Sequence, residues 1–246
     1  MTVNAPVVRP VCNARSPVLG PQVILAASHM DLKLLAARLQ LPDMRHLYMS
    51  RVYFDARHKE RAALAGPFMG APYAAMMLEV LHAWGVEKAL FLGWCGSIDP
   101  AYRVGDIVIP TSALIDEGTS LHYRQEPDSV VYPDQHQCDA LMSDCSDHHI
   151  VYKTARVWST DAIFRETPEK IAAFQRQGAH VVEMELSAIF SVAAFHAMAA
   201  AGILVVSDEL FTLNWTPGFK NSIFLSSRDQ IIERLSKAAL PFPVEG

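Results

Sequence analysis

His180-Val181-Val182-Glu183-Met184-Glu185-Leu186-Ser187-Ala188 is the stretch whose reading decides the fold. A short apolar run ends in two acids that flank a methionine, and an apolar helical segment follows. That helix is expected to continue to Ala201 and to break at Gly202. Ile203-Leu204-Val205-Val206 then reads as a second buried strand, opening into Ser207-Asp208-Glu209. Glu183, Glu185 and Asp208 therefore gather just beyond two buried strands. In open parallel sheets that edge is where ligands bind. Neighbouring carboxylates can accept hydrogen bonds from a vicinal diol, and a third, desolvated and protonated, can hand its proton to a leaving group. Each acid also has a plainer reading, as a helix N-terminal charge or cap.

Composition narrows the class. A chain of 246 residues, 51% hydrophobic and 19% charged, can bury one large core or two small ones. Its net charge is −5 and it carries no lysine/arginine run, which disfavours nucleic-acid partners. The long apolar stretch after Glu185 contains His196 and many small residues, so a membrane span is not expected. No secretory pattern opens the sequence, and a cytoplasmic location is the expectation. Cys12, Cys95, Cys138 and Cys145 form no C-x-x-C pair and read as reduced thiols. His136, Cys138, Cys145, His148 and His149 match no familiar zinc spacing, so neither metal nor cofactor is expected.

Outward from the central stretch, Pro6, Pro10, Pro17 and Pro21 mark residues 1–21 as an extended arm, with one domain over 22–246. Strands are expected at Val23–Ala27, Arg51–Phe54, Ala62–Ala65, Lys88–Leu92, Val104–Pro110 and Tyr152–Val157. Helices are expected at Asp31–Leu39, Tyr73–Trp84, Asp134–His149, Pro168–Gly178 and Ser226–Leu240. Gly93-Trp94-Cys95-Gly96-Ser97 reads as a turn whose glycines let backbone approach a ligand. Trp158-Ser159-Thr160-Asp161-Ala162-Ile163-Phe164-Arg165 delivers a flat aromatic face suited to a heterocycle. Phe211 to Phe219 reads as a loop over the site.

Val182-Glu183-Met184-Glu185 and Val205-Val206-Ser207-Asp208-Glu209 resemble the ribose-binding and catalytic signatures of the nucleoside phosphorylase superfamily. That group includes purine nucleoside and uridine phosphorylases and the methylthioadenosine/adenosylhomocysteine nucleosidases. Gly66-Pro67-Phe68-Met69-Gly70-Ala71-Pro72, Val104 to Pro110 and Asp116 to Ser120 are similar to further family elements. The resemblance implies a single α/β domain with a mixed, twisted, partly closed β-sheet flanked by helices. It implies homo-oligomers, dimers to hexamers, with active sites shared across an interface, and a small-molecule nucleoside as partner.

For the site, the resemblance implies that Glu183 and Glu185 hold the ribose hydroxyls while Met184 packs beneath the sugar and Met69 touches it. Gly93, Trp94, Cys95 and Ser207 lie along the substrate, Ile163 and Phe164 stack on the base, and Asp208 is the general acid. The implied activity is glycosidic cleavage by a phosphorylase-type glycosyltransferase, purine-type favoured, with phosphate as co-substrate. Two departures bear on that co-substrate. The turn after the first strand, Ser28-His29-Met30, lacks the family's Gly-Asp-Pro and following arginine, and Phe91 and Trp94 replace an arginine and a hydroxyl. Arg45, Arg51 and Arg165 are the remaining candidates for phosphate. A nucleosidase using water is the alternative, and a non-catalytic nucleoside-binding homologue a further one.

Overall fold

The computed structural model describes residues 6–124 and 129–237. Residues 1–5 of the expected arm and the last three of the expected closing helix lie outside these. The strands are β1 (Gln22–Ala26), β2 (Asp43–Leu47), β3 (Ser50–Phe54), β4 (Ala63–Gly66), β5 (Lys88–Ser97), β6 (Ile107–Asp116), β7 (Val130–Val131), β8 (Lys153–Thr160), β9 (Ala179–Glu183), β10 (Ala199–Glu209) and β11 (Thr216–Pro217). The helices are α1 (His29–Leu39), α2 (Ala71–Ala83), α3 (Gln135–Asp147), α4 (Pro168–Arg176), α5 (Leu186–Phe195) and α6 (Ser222–Lys237).

All the strands form one mixed sheet in the order β11-β10-β6-β8-β9-β5-β1-β4-β3-β2, with β7 added to β6. A further pairing of β10 with β5 closes β10, β6, β8, β9 and β5 into a ring. Parallel contacts join β5 to β1 and β10, and β8 to β6 and β9; β9 meets β5 antiparallel. β1 is buried on both faces, as its unbroken Gln22-Val23-Ile24-Leu25-Ala26 run requires inside a parallel sheet. One apolar cluster packs α2 and α5 against the sheet through Met77, Leu81, Ile189 and Phe190. A second packs α1, α3 and α6 on it through Leu32, Leu35, Leu141 and Ile231.

Three expectations are corrected. β5 does not turn at Gly93 but runs on to Ser97, paired with β10 as far as Glu209. Gly93 is needed there because a Cβ would stand 2.6 Å from the Phe91 ring, so the glycine serves close packing within a strand. α5 stops at Phe195, and Ala199-Ala200-Ala201 belong to β10, where pairing with Lys88 to Leu90 overrides alanine's helix preference. Gly202 lies inside that strand, because a Cβ would stand 2.9 Å from the Leu186 side chain. β2 was not expected at all; it is a polar edge strand with only Leu47 buried.

Candidate active site

Register brings the carboxylates to one rim. Val182 on β9 pairs with Gly96 on β5, and Gly96 pairs in turn with Asp208 on β10. Adjacent strands stand about 4.8 Å apart, so the Asp208 backbone lies roughly 10 Å from that of Val182, one residue before Glu183. A register shift between Val206 and Asp208 turns the strand end here. Glycine is favoured between the rows, since a Cβ on Gly96 would stand 2.6 Å from the Leu210 side chain and 3.2 Å from Asp208 Oδ2. Desolvation pushes the buried Cys95 thiol well above its ordinary pKa, and the charges of Asp208 and Glu183 add to that.

The two glutamates do different work. Glu183 Oε1 accepts the Ser159 hydroxyl, and Oε2 accepts the backbone N–H groups of Glu185 (2.7 Å) and Leu186 (2.8 Å). Both oxygens are thus engaged in tying β8 to the start of α5, satisfying helix donors that otherwise lack partners. Glu185, 7% exposed, accepts the Gly70 N–H at 2.5 Å through Oε1. Gly70 has φ +83° and precedes α2, so the Gly66–Pro72 turn is anchored on Glu185. Burial raises both acids; the Glu183 charge then raises Glu185 further, to about 8. Three donors on the Glu183 oxygens favour its charged form and oppose the rise there.

Asp208 is half-buried and also carries donors: Ser207 Oγ reaches Oδ1 at 2.7 Å and Trp215 Nε1 reaches Oδ2 at 2.8 Å. The one Ser207 hydroxyl hydrogen is shared with the Cys95 carbonyl at 3.2 Å, which fixes the strand end. Glu209 faces elsewhere, bound to Arg103 (2.9 Å) and the Val104 N–H (3.0 Å). Glu166, which sequence reasoning passed over, follows the short helical turn Ile163–Arg165 and is half-buried. Desolvation raises its pKa to about 7, with Asp208 pushing the same way and Lys170 opposing. Its place directly after the expected base wall was the available signal.

The other expected residues divide. Met184 is half-buried beside the two glutamates, while Met69 (77%) and Phe164 (95%) are largely exposed, with Ile163 at 51%, so none of these three is a core residue. Arg165 is exposed next to Phe164. Arg45 and Arg51 sit exposed on β2 and β3, at the far edge of the sheet from β9 and β10, and are not brought to the carboxylates within this chain. Phe91 is wholly buried against Phe68 and is no site residue. Trp94 is half-buried; its indole donates to the buried Asp31 at 2.7 Å and packs edge-on against Phe224. Cys138 and Cys145 point into the core while His148 and His149 are exposed, so the cysteine–histidine run is split between two environments. Among the described residues no three His, Cys, Asp or Glu side chains cluster as metal ligands, and no helix is long and apolar enough to cross a membrane.

A closed mixed sheet with paired glutamates before one helix and an aspartate across a glycine defines an α/β protein with its carboxylates on one rim of the sheet. The profile described as "Phosphorylase superfamily" matches residues 21–240, and the chain belongs to that superfamily. A guanosine phosphorylase of Halorubrum lacusprofundi is 32% identical over 149 residues, 59% of this chain and 60% of that protein. The match thus spans under two thirds of that relative's length. Two solved structures share the fold: a purine nucleoside phosphorylase of Toxoplasma gondii (TM-score 0.75, 17% identity, 91% of each chain) and an AMP nucleosidase of Bacteroides thetaiotaomicron (TM-score 0.71, 20% identity, 90% of this chain and 88% of that one).

Proposed function

We propose that this protein cleaves the N-glycosidic bond of a purine nucleoside. The observation that carries this reading is the alignment of Val182, Gly96 and Asp208 across three strands, which sets Glu185 and Asp208 on one rim. Glu185 accepts the ribose hydroxyls and Met184 lies beneath the sugar. Positive charge develops on the sugar as the bond lengthens, in an oxocarbenium-like state. Asp208 donates a proton to the departing base, which leaves neutral rather than as an anion. Trp215 holds Asp208 Oδ2 in this structure, so the base displaces that N–H on binding. Glu166, Ile163 and Phe164 form the base end: an aromatic and an aliphatic face, with a carboxyl able to meet a ring N–H or exocyclic amine.

Glu183 is a positioning residue in this scheme, holding the turn that presents Glu185. The protein acts as a homo-oligomer. An open groove of about 1560 Å³ on the α2/α5 face, lined among others by Tyr48, Met76, Tyr123, Phe190 and Phe195, supports this, with Met76 and Phe195 left 46% and 60% exposed. That groove holds none of the rim carboxylates, and an interface is its better use.

The test is turnover of a nucleoside panel with release of free base. Asp208→Asn is expected to lower kcat by about two to four decades, the usual worth of a positioned proton donor, while nucleoside binding by calorimetry persists. Equal kcat in the two proteins removes Asp208 from the role.

A further inference from the structure

In an open α/β sheet an oxyanion is bound where a helix N-terminus meets the glycine-bearing end of a neighbouring strand. Here that place lies between the start of α1, immediately after β1, and β5 at Gly93-Trp94. It is filled from within. Asp31, in the first turn of α1, is fully buried, and its Oδ2 accepts the Trp94 indole N–H at 2.7 Å. Arg228 of α6, 6% exposed, brings Nε to 3.7 Å from Asp31 Oδ1 and Nη2 to 3.0 Å from Asp229. The Trp94 ring is then wedged by Phe224 at 5.1 Å and Phe219 at 6.0 Å. Arg228 Nη1 and Asp31 Oδ1 are both buried from solvent.

A phosphate entering this slot meets an indole edge and a carboxylate, and the single guanidinium is already shared between two aspartates. Burial raises Asp31 to about 6, which leaves it largely ionised at neutral pH and repulsive to a dianion. Water carries no charge and needs only a small polar niche beside the sugar.

Resting on the glycosidic-cleavage reading, we infer that Asp31, Trp94 and Arg228 close the anion slot and that the acceptor is water: the protein is a nucleoside hydrolase. The N-glycosidic bond breaks with its electron pair moving to the base, which takes the Asp208 proton. A water oxygen bonds to the anomeric carbon and releases one proton to solvent, from which Asp208 is reprotonated. Base and free ribose are the products.

The experiment incubates the full chain with inosine and with adenosine, with and without inorganic phosphate, and separates ribose from ribose 1-phosphate. Free ribose at a rate that phosphate leaves unchanged is the expected result. Phosphate-dependent ribose 1-phosphate overturns the inference and leaves the cleavage reading intact. Titration of inorganic phosphate alone, by calorimetry and thermal shift, gives a second readout that needs no turnover. No saturable binding is expected, and saturable binding overturns the closed slot. Absence of both products from every nucleoside overturns the cleavage reading, and with it the choice of water.

Discussion

Glu185→Gln isolates what the charge on that buried carboxyl does. The variant keeps a carbonyl oxygen to accept the Gly70 N–H, so the Gly66–Pro72 turn stays anchored and the fold persists. What changes is the acceptor offered to the sugar. Hydrogen bonds to a charged group contribute about 1.5–3 kcal/mol against about 0.5–1.5 for neutral pairs, so each hydroxyl loses roughly 1–1.5 kcal/mol. Two hydroxyls give about 2–3 kcal/mol, or roughly 30- to 150-fold in kcat/KM. A 2′-deoxynucleoside offers one of the two and should lose only about 5- to 12-fold on the same scale. The assay is kcat/KM for a ribonucleoside and its 2′-deoxy counterpart in both proteins at about pH 9, where Glu185, raised to about 8, carries its charge. The ratio of the two losses carries the argument, because general damage to the site lowers both equally. Equal losses, or a ribonucleoside loss under about threefold, would refute Glu185 as the diol acceptor.

Glu183→Ala should act on stability instead. It strips the acceptor from Ser159 and from two N–H groups at the start of α5. A loss of about 2–4 kcal/mol by urea denaturation is expected, with the ribo-to-deoxyribo preference of surviving activity unchanged; a shift in that preference contradicts the positioning role. The glutamate pair also sets a pH dependence. Its folded-state pKa values are raised, Glu185 to about 8, so the folded chain retains a proton that the unfolded chain has lost. Its stabilising contribution is therefore complete below the ordinary carboxylate pKa and is lost as pH rises through about 8. Urea midpoints in Glu185→Gln should fall less over that range than in the parent; parallel curves count against it. Glu166→Gln should remove from the kcat/KM profile an inflection near pH 7 and change the preference among purines differing in exocyclic groups. An unaltered profile and preference place Glu166 outside the base end.

Much of the architecture was legible because apolar runs and their punctuation coincide with elements. β1 is a continuous buried run, and the capping oxygens of Asp134 and Thr167 mark the starts of α3 and α4. Local reading failed where packing overrules propensity. Gly93 and Gly96 looked like a turn, but each makes room for a side chain, Phe91 in one case and Asp208 with Leu210 in the other. Ala199–Ala201 looked helical until β5 supplied a partner. The candidate site divides similarly. Glu183, Glu185 and Asp208 stand out by type and spacing, whereas the distinct work of the two glutamates depends on which N–H groups fold against each. Asp31 and Arg228 lie almost at opposite ends of the chain, and nothing local announces that Trp94 joins them.

The ring formed by β10, β6, β8, β9 and β5 has a consequence for how such a protein can diversify. Strands hooped on both sides have no loose margin to shift, so the sugar grip is inherited as a fixed chassis. The segments at residues 163–166 and 211–219 hang from the ends of β8 and β10, and they can be rewritten without disturbing a single rung of the hoop. In the proposed reading, new bases can then be adopted through these two tongues, provided Trp215 and Phe219 keep their contacts with Asp208 and Trp94.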